Sequence, residues 1–122
     1  MAANKVFHWL IVAGLLFLTL TPLLVSTSLF FPFITGKGFF FRVVTEIILA
    51  LWIILVLRDQ AYRPRQSWIL LAMSVWLLIL ALATAWGANP YRSFWSNFER
   101  MEGLVTYLHL FAYFLILISI LK

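Results

Sequence analysis

The sequence predicts an all-α, polytopic membrane protein: four transmembrane helices with short loops, N-in/C-in. Three observations carry that prediction. Hydrophobic residues make up 65% of the chain and charged residues 11%, against about 45–50% and about 25% in soluble domains. A chain of 122 residues buries too small a fraction of its surface to hide that much apolar area from water. The apolar residues also fall into four runs, each close to the roughly 20 residues that a helix rising about 1.5 Å per residue needs to cross ~30 Å of hydrocarbon. Finally, charged and turn-forming residues collect between the runs, so the whole chain reads as a single transmembrane region, 1–122.

The first span is expected over residues 6–31, bent at Pro22, with Thr19 and Thr21 placed to satisfy carbonyls freed by the kink and Pro32 ending it. No charge occurs from Val6 to Gly36 and no A-x-A-like site closes the run, so it reads as a retained span and not a cleaved leader. Gly36-Lys37-Gly38 reads as a flexible turn before the second span, 39–57, which carries Arg42 and Glu46 in its first turns. The most basic loop follows, with Arg58, Arg63 and Arg65 close together. The third span, 68–86, has no charge and a Trp at each end, Trp68 and Trp86, as interfacial anchoring favours. Asn89-Pro90 marks a turn in the third loop, and the fourth span covers 103–121.

Orientation follows from the basic residues. With the N-terminus inside, the cytoplasmic side holds Lys5, Arg58, Arg63, Arg65 and Lys122, and the outer side holds Lys37, Arg42, Arg92 and Arg100. The tight arginine group of the middle loop sets N-in/C-in. The net charge of +5 is dispersed between apolar runs instead of forming one basic face, which argues against nucleic acid. The lipid bilayer is the first partner. Cysteine is absent, excluding disulfides and thiolate metal sites. His8 and His109 have no carboxylates at metal-ligand spacing, so no metal is expected. "TGKGF" lacks the P-loop frame, and no Gly-x-Ser-x-Gly elbow occurs, so no cofactor and no catalytic residue is assigned.

One stretch departs from the rest, "SFWSNFERMEGLVTYLH", where acids and bases gather among aromatics. Ser96-Asn97-Phe98-Glu99 fits an S-x-x-E capping box, placing the start of the fourth helix near Ser96. On a helix, Glu102, Thr106, His109 and Tyr113 fall within about 60° of one another, a polar stripe descending into the span. Such a stripe has to face protein or water, because exposing ionisable groups to lipid is costly. It fits helix–helix hydrogen bonding or the lining of a cavity equally well. Arg42 and Glu46, four apart, are spaced for an ion pair along one helix face, and Glu46 joins the candidate cavity wall. Arg42, Arg92 and Arg100 either converge on an anionic group, which guanidinium grips in a planar fork, or anchor helices at headgroup depth. Trp86, Tyr91, Phe94, Trp95 and Phe98 form an interfacial belt or, alternatively, a sugar-stacking platform.

The segments "FFPFITGKGFFFRVVTEIILALW", "YRPR" and "NPYRSFWSNFERMEGLVTYLHLFAYF", together spanning Leu29 to Phe114, resemble the N-terminal region of bacterial O-antigen ligase and O-antigen polymerase-like proteins. "SFWSNFERMEG" carries most of that resemblance. Such proteins are large multi-span inner-membrane glycosyltransferases of lipopolysaccharide biosynthesis and related pathways. They move glycan from undecaprenyl diphosphate to an acceptor at the periplasmic face, in general without a metal. The resemblance implies that Arg42, Arg92, Arg100 and Glu102 lie on that face, near an undecaprenyl-diphosphate-linked glycan. It also implies that the catalytic arginines and histidine belong to later parts of the parent, so none carries over and the chain alone is expected to lack turnover. The remaining helices of that parent, or other membrane subunits, would be its partners. Two other readings stand beside it: a small non-enzymatic four-span assembly subunit, and a small transporter lined by Glu46, Glu102 and His109.

Overall fold

The computed structural model describes residues 2–25, 27, 34–97 and 102–121. Among these the regular structure is entirely helical: α1 (Ala2–Leu18), a 3-10 turn (Thr21–Leu23), α2 (Thr35–Arg58), a second 3-10 turn (Gln60–Tyr62), α3 (Trp68–Ala85), α4 (Pro90–Trp95) and α5 (Leu104–Ile120).

Helix α1 stops earlier than a span over 6–31 requires. Pro22 has no N–H to give Leu18, and its ring would collide with that residue's carbonyl. The helix therefore ends at Leu18 and tightens into the 3-10 turn. The freed carbonyl oxygen of Leu18 accepts from the Thr21 hydroxyl at 2.6 Å, as the position of Thr21 beside Pro22 suggested. Thr19 instead donates to the Leu16 carbonyl oxygen at 2.6 Å, which already accepts from the Thr19 backbone N–H and is not one that Pro22 frees. The expected end at Pro32 lies outside the described residues.

Helix α2 begins sooner than expected. Gly36, Lys37 and Gly38 form its first turn instead of a loop, since glycine in a helix is disfavoured by only about 1 kcal/mol relative to alanine. Helix α3 starts with Ser67 as N-cap, whose hydroxyl accepts from the Leu70 amide at 3.1 Å. Its two hydroxyl residues, Ser74 and Thr84, donate back to the carbonyls of Leu70 and Leu80, so each is satisfied within its own helix. The Asn89-Pro90 pair is not a turn between spans but the start of α4. The Asn89 side chain accepts from the Arg92 amide at 3.1 Å, and Pro90 occupies the position where its missing N–H is harmless.

Helix α2 is the centre of the packing, with α1 on one side and α5 on the other; α5 also carries α3, and α4 lies against α3 and α5. The pairings fix direction. Gly14 faces Ile48, Phe17 meets Phe40 with ring centroids 5.1 Å apart, and the Arg58 guanidinium sits 5.3 Å from the Phe7 ring, so α1 and α2 run antiparallel. Helices α2 and α5 run parallel, and Trp76 meets Tyr107 edge-on at 5.3 Å, in keeping with an α3 antiparallel to α5. The upper end of the bundle therefore gathers the starts of α2 and α5, the end of α3, and α4.

A buried apolar cluster joins α1, α2 and α5: Ile11, Leu15 and Leu18 meet Ile48 and Leu55, with Ile116 and Ile120 closing the third side. A Cβ at Gly14 would overlap the Ile48 side chain. A small residue lets two helices approach closely, which matters most where lipid removes the hydrophobic drive for helix association. Helix α3 is the opposite case. It buries no residue, and Trp68, Ile69, Leu71, Leu78 and Ile79 are all exposed. Among the described residues, two helices are long and apolar enough to cross a membrane: α2, 24 residues with mean hydropathy 2.4, and α3, 18 residues with mean hydropathy 2.3. Together with the uncovered apolar surface of α3, they point to membrane association.

Candidate functional site

The polar residues singled out from the sequence divide between two places, both at the upper end. The first is the seam between α2 and α5. The Arg42 Nη2 donates to Thr106 Oγ1 at 2.9 Å. One turn further along both helices, Glu46 Oε1 lies 3.0 Å from His109 Nε2. The other ring nitrogen of His109, Nδ1, is 2.7 Å from the Val105 carbonyl oxygen. Tyr113 continues the line by packing edge-on against Phe41 at 6.0 Å. Arg42 and Glu46 thus reach across to α5 instead of pairing along α2. An arginine preceding a glutamate by four is the weaker order for a pair on one helix, and the parallel neighbour supplies better partners.

Thr106, His109 and Tyr113 therefore face protein, as a polar stripe on an apolar helix has to. Glu102 does not belong to that stripe. It precedes Gly103, the N-cap of α5, so it is not on the helix whose periodicity would align it with the others. Likewise the fourth helix does not begin near Ser96. Ser96 caps the C-terminal end of α4 at a positive φ of 64°, where it cannot hold a capping box. Glu99 and Arg100 lie outside the described residues.

The second place is a cleft of about 330 Å³ between α3, α4 and the start of α5. Leu80, Thr84, Arg92, Ser93, Glu102 and Tyr107 line it, together with Ser96, Gly103 and Leu104. Arg92 and Glu102 thus share one cavity wall, whereas Arg42 is engaged in the seam. The guanidinium of Arg92 is held by Asn97, whose Oδ1 accepts from Nη2 at 2.8 Å and from Nε at 3.2 Å. The floor depends on Gly103. A Cβ there would overlap the Phe94 carbonyl and the Ser93 carbonyl oxygen, so only glycine lets α5 start this close to the end of α4. Around the cleft, Trp86 and Tyr91 are exposed, and Phe94 meets Trp95 edge-on at 5.0 Å.

Asn97, Ser93, Thr84 and Tyr107 are not singled out by sequence reasoning. The signal that points to Ser93 is the Asn-Pro pair: read as N-cap and N1, it starts a short helix that brings Arg92 and Ser93 onto one wall. Among the described residues, no group of three or more His, Cys, Asp or Glu side chains occurs. A guanidinium, a carboxylate and hydroxyls around one concave surface are suited to a polar ligand with both anionic oxygens and hydroxyl donors.

Comparison of the chain with protein-family models, curated proteins and solved structures finds no match.

Proposed function

We propose that this chain is the N-terminal membrane portion of an O-antigen ligase-like glycosyltransferase of the bacterial inner membrane. It crosses the bilayer four times with both ends in the cytoplasm and contributes one wall of a periplasmic cavity. The parent moves glycan from undecaprenyl diphosphate to an acceptor. The observation that carries this reading is the cleft lined by Arg92 and Glu102 at the upper end of a predominantly apolar bundle. Four crossings are supported by the alternating directions of α1, α2, α3 and α5. At about 1.5 Å per residue, the 17-residue helices α1 and α5 each reach about 26 Å, within the range that modest bilayer thinning accommodates.

In this reading Arg92, steadied by Asn97, meets anionic oxygens of the lipid diphosphate, and Glu102 accepts from a hydroxyl of the sugar or acceptor. Arg42 secures the helix pair behind the cleft, and Arg100 is assigned to the same face by the charge count and the resemblance together. Such contacts assist by positioning the donor and stabilising its departing diphosphate, while bond-making residues lie elsewhere in the parent. The test is glycan transfer by the complete enzyme carrying Arg92→Ala or Glu102→Ala. Reduced transfer at normal protein level is expected, and undiminished transfer by both variants removes the proposal. Sequencing past codon 122 checks the parentage: an in-frame or frameshifted continuation supports it, and a clean stop favours the small-subunit reading.

A second reading, a small non-enzymatic four-span assembly subunit, is favoured by α3 alone, whose largely exposed apolar surface would suit a partner helix as well as lipid.

A further inference from the structure

We propose that Glu46 and His109 form a proton-binding site bridging α2 and α5. The donors and acceptors around the imidazole require it. His109 Nδ1 lies 2.7 Å from the Val105 carbonyl oxygen. A carbonyl oxygen only accepts, so Nδ1 carries a hydrogen. A neutral imidazole has one N–H, which leaves Nε2 with a lone pair. That lone pair points at Glu46 Oε1, 3.0 Å away, and an ionised carboxylate also only accepts. Two acceptors at this distance need a hydrogen between them. One further proton therefore lies on the Nε2–Oε1 axis.

The proton has two hosts. Either an imidazolium donates to a carboxylate, or a carboxylic acid donates to a neutral imidazole. The atoms and the net charge are the same, and only the hydrogen's position differs. When the proton leaves for water, the N–H or O–H bond breaks, its electron pair stays on Nε2 or Oε1, and the pair passes from neutral to one net negative charge. Glu46 is the accessible partner, its side chain 66% exposed while that of His109 is 15% exposed.

Few other charges face the pair. On α2 the nearest is Arg42, one turn away and bonded to Thr106; on α5, Tyr107 and Tyr113 are the other titratable side chains, Tyr113 on the seam side. Glu102 precedes α5, and α4 brings Tyr91 and Arg92 to the helix start. Helix α3 contains no titratable group, and α1 offers Lys5 and His8 at the opposite end of the bundle.

The test is NMR of the full chain in lipid nanodiscs, with 15N-labelled histidine and 13C-labelled glutamate, across a pH series. Glu46→Gln identifies the Glu46 carboxyl resonance by its loss. Expected are, once the shared proton has left, a neutral His109 in the Nδ1–H tautomer, and His109 Nε2 and Glu46 Cδ signals that shift together in one transition, with His8 moving separately. Glu46→Gln is expected to retain that tautomer, because its amide N–H can donate to Nε2. A neutral His109 in the Nε2–H tautomer, or independent transitions for the two residues, overturns the proposal. If the variant does not fold, selective labelling of the wild-type chain still separates these outcomes.

Discussion

The two seams of α2 are built on different principles. Towards α1 the contact is apolar and shape-dependent: Ile11, Leu15 and Leu18 pack on Ile48 and Leu55, and Gly14 lets the backbones close in. Towards α5 its upper half is directional, with Arg42–Thr106 and Glu46–His109 as rungs one turn apart. Shape-dependent packing is strong but permissive of small slides, whereas paired rungs allow one register. In a bilayer, where lipid is as apolar as leucine, both devices replace a missing hydrophobic drive. The difference teaches that α1 is held by what it lacks, a side chain at Gly14, and α5 by what it carries.

This contrast is open to attack by substitution, with reversible unfolding in mixed micelles as the readout. The largest effect is expected at neither seam but at the cleft floor. Gly103→Val places a side chain against the backbone carbonyls of Ser93 and Phe94, which cannot yield as a side chain can, and should destabilise by about 3 kcal/mol. Gly14→Val drives a side chain into Ile48 and should cost about 2 kcal/mol. Unchanged stability would mean that α1 does not depend on close approach. His109→Leu removes a rung and leaves Glu46 without its partner; about 1 kcal/mol is expected, within the range of measured bonds between membrane helices. Thr45→Val is expected to sharpen the comparison from the other side. Thr45 is fully buried, and its hydroxyl has no partner among the described residues. The isosteric change should therefore be neutral or stabilise by about 1 kcal/mol. Destabilisation there would reveal that the hydroxyl is bonded after all.

Much of the helical layout is legible in the chain. Apolar runs place helices where α2, α3 and α5 lie, but the sequence reads Asn89-Pro90 as a turn where the structure starts α4. The first run misleads because hydropathy has no knowledge of Pro22's clash with the Leu18 carbonyl, which ends a helix while the apolar residues continue. The candidate site is legible in its residue types but not in its grouping. Periodicity puts Glu102 on the stripe of Thr106 and His109, yet periodicity holds only inside a helix, and Glu102 lies before the N-cap Gly103. Glu102 instead shares a cavity with Arg92, a residue that no spacing rule links to it.

By itself, the sequence determined the helical class and the strongly apolar character of the chain, because composition and hydropathy are local properties. Only the tertiary structure decided that Arg42 and Glu46 look to α5 instead of to each other, and that Arg92 and Glu102 meet. Those choices depend on which helices run parallel and how closely glycines let them approach, and such geometry arises between segments, not within one.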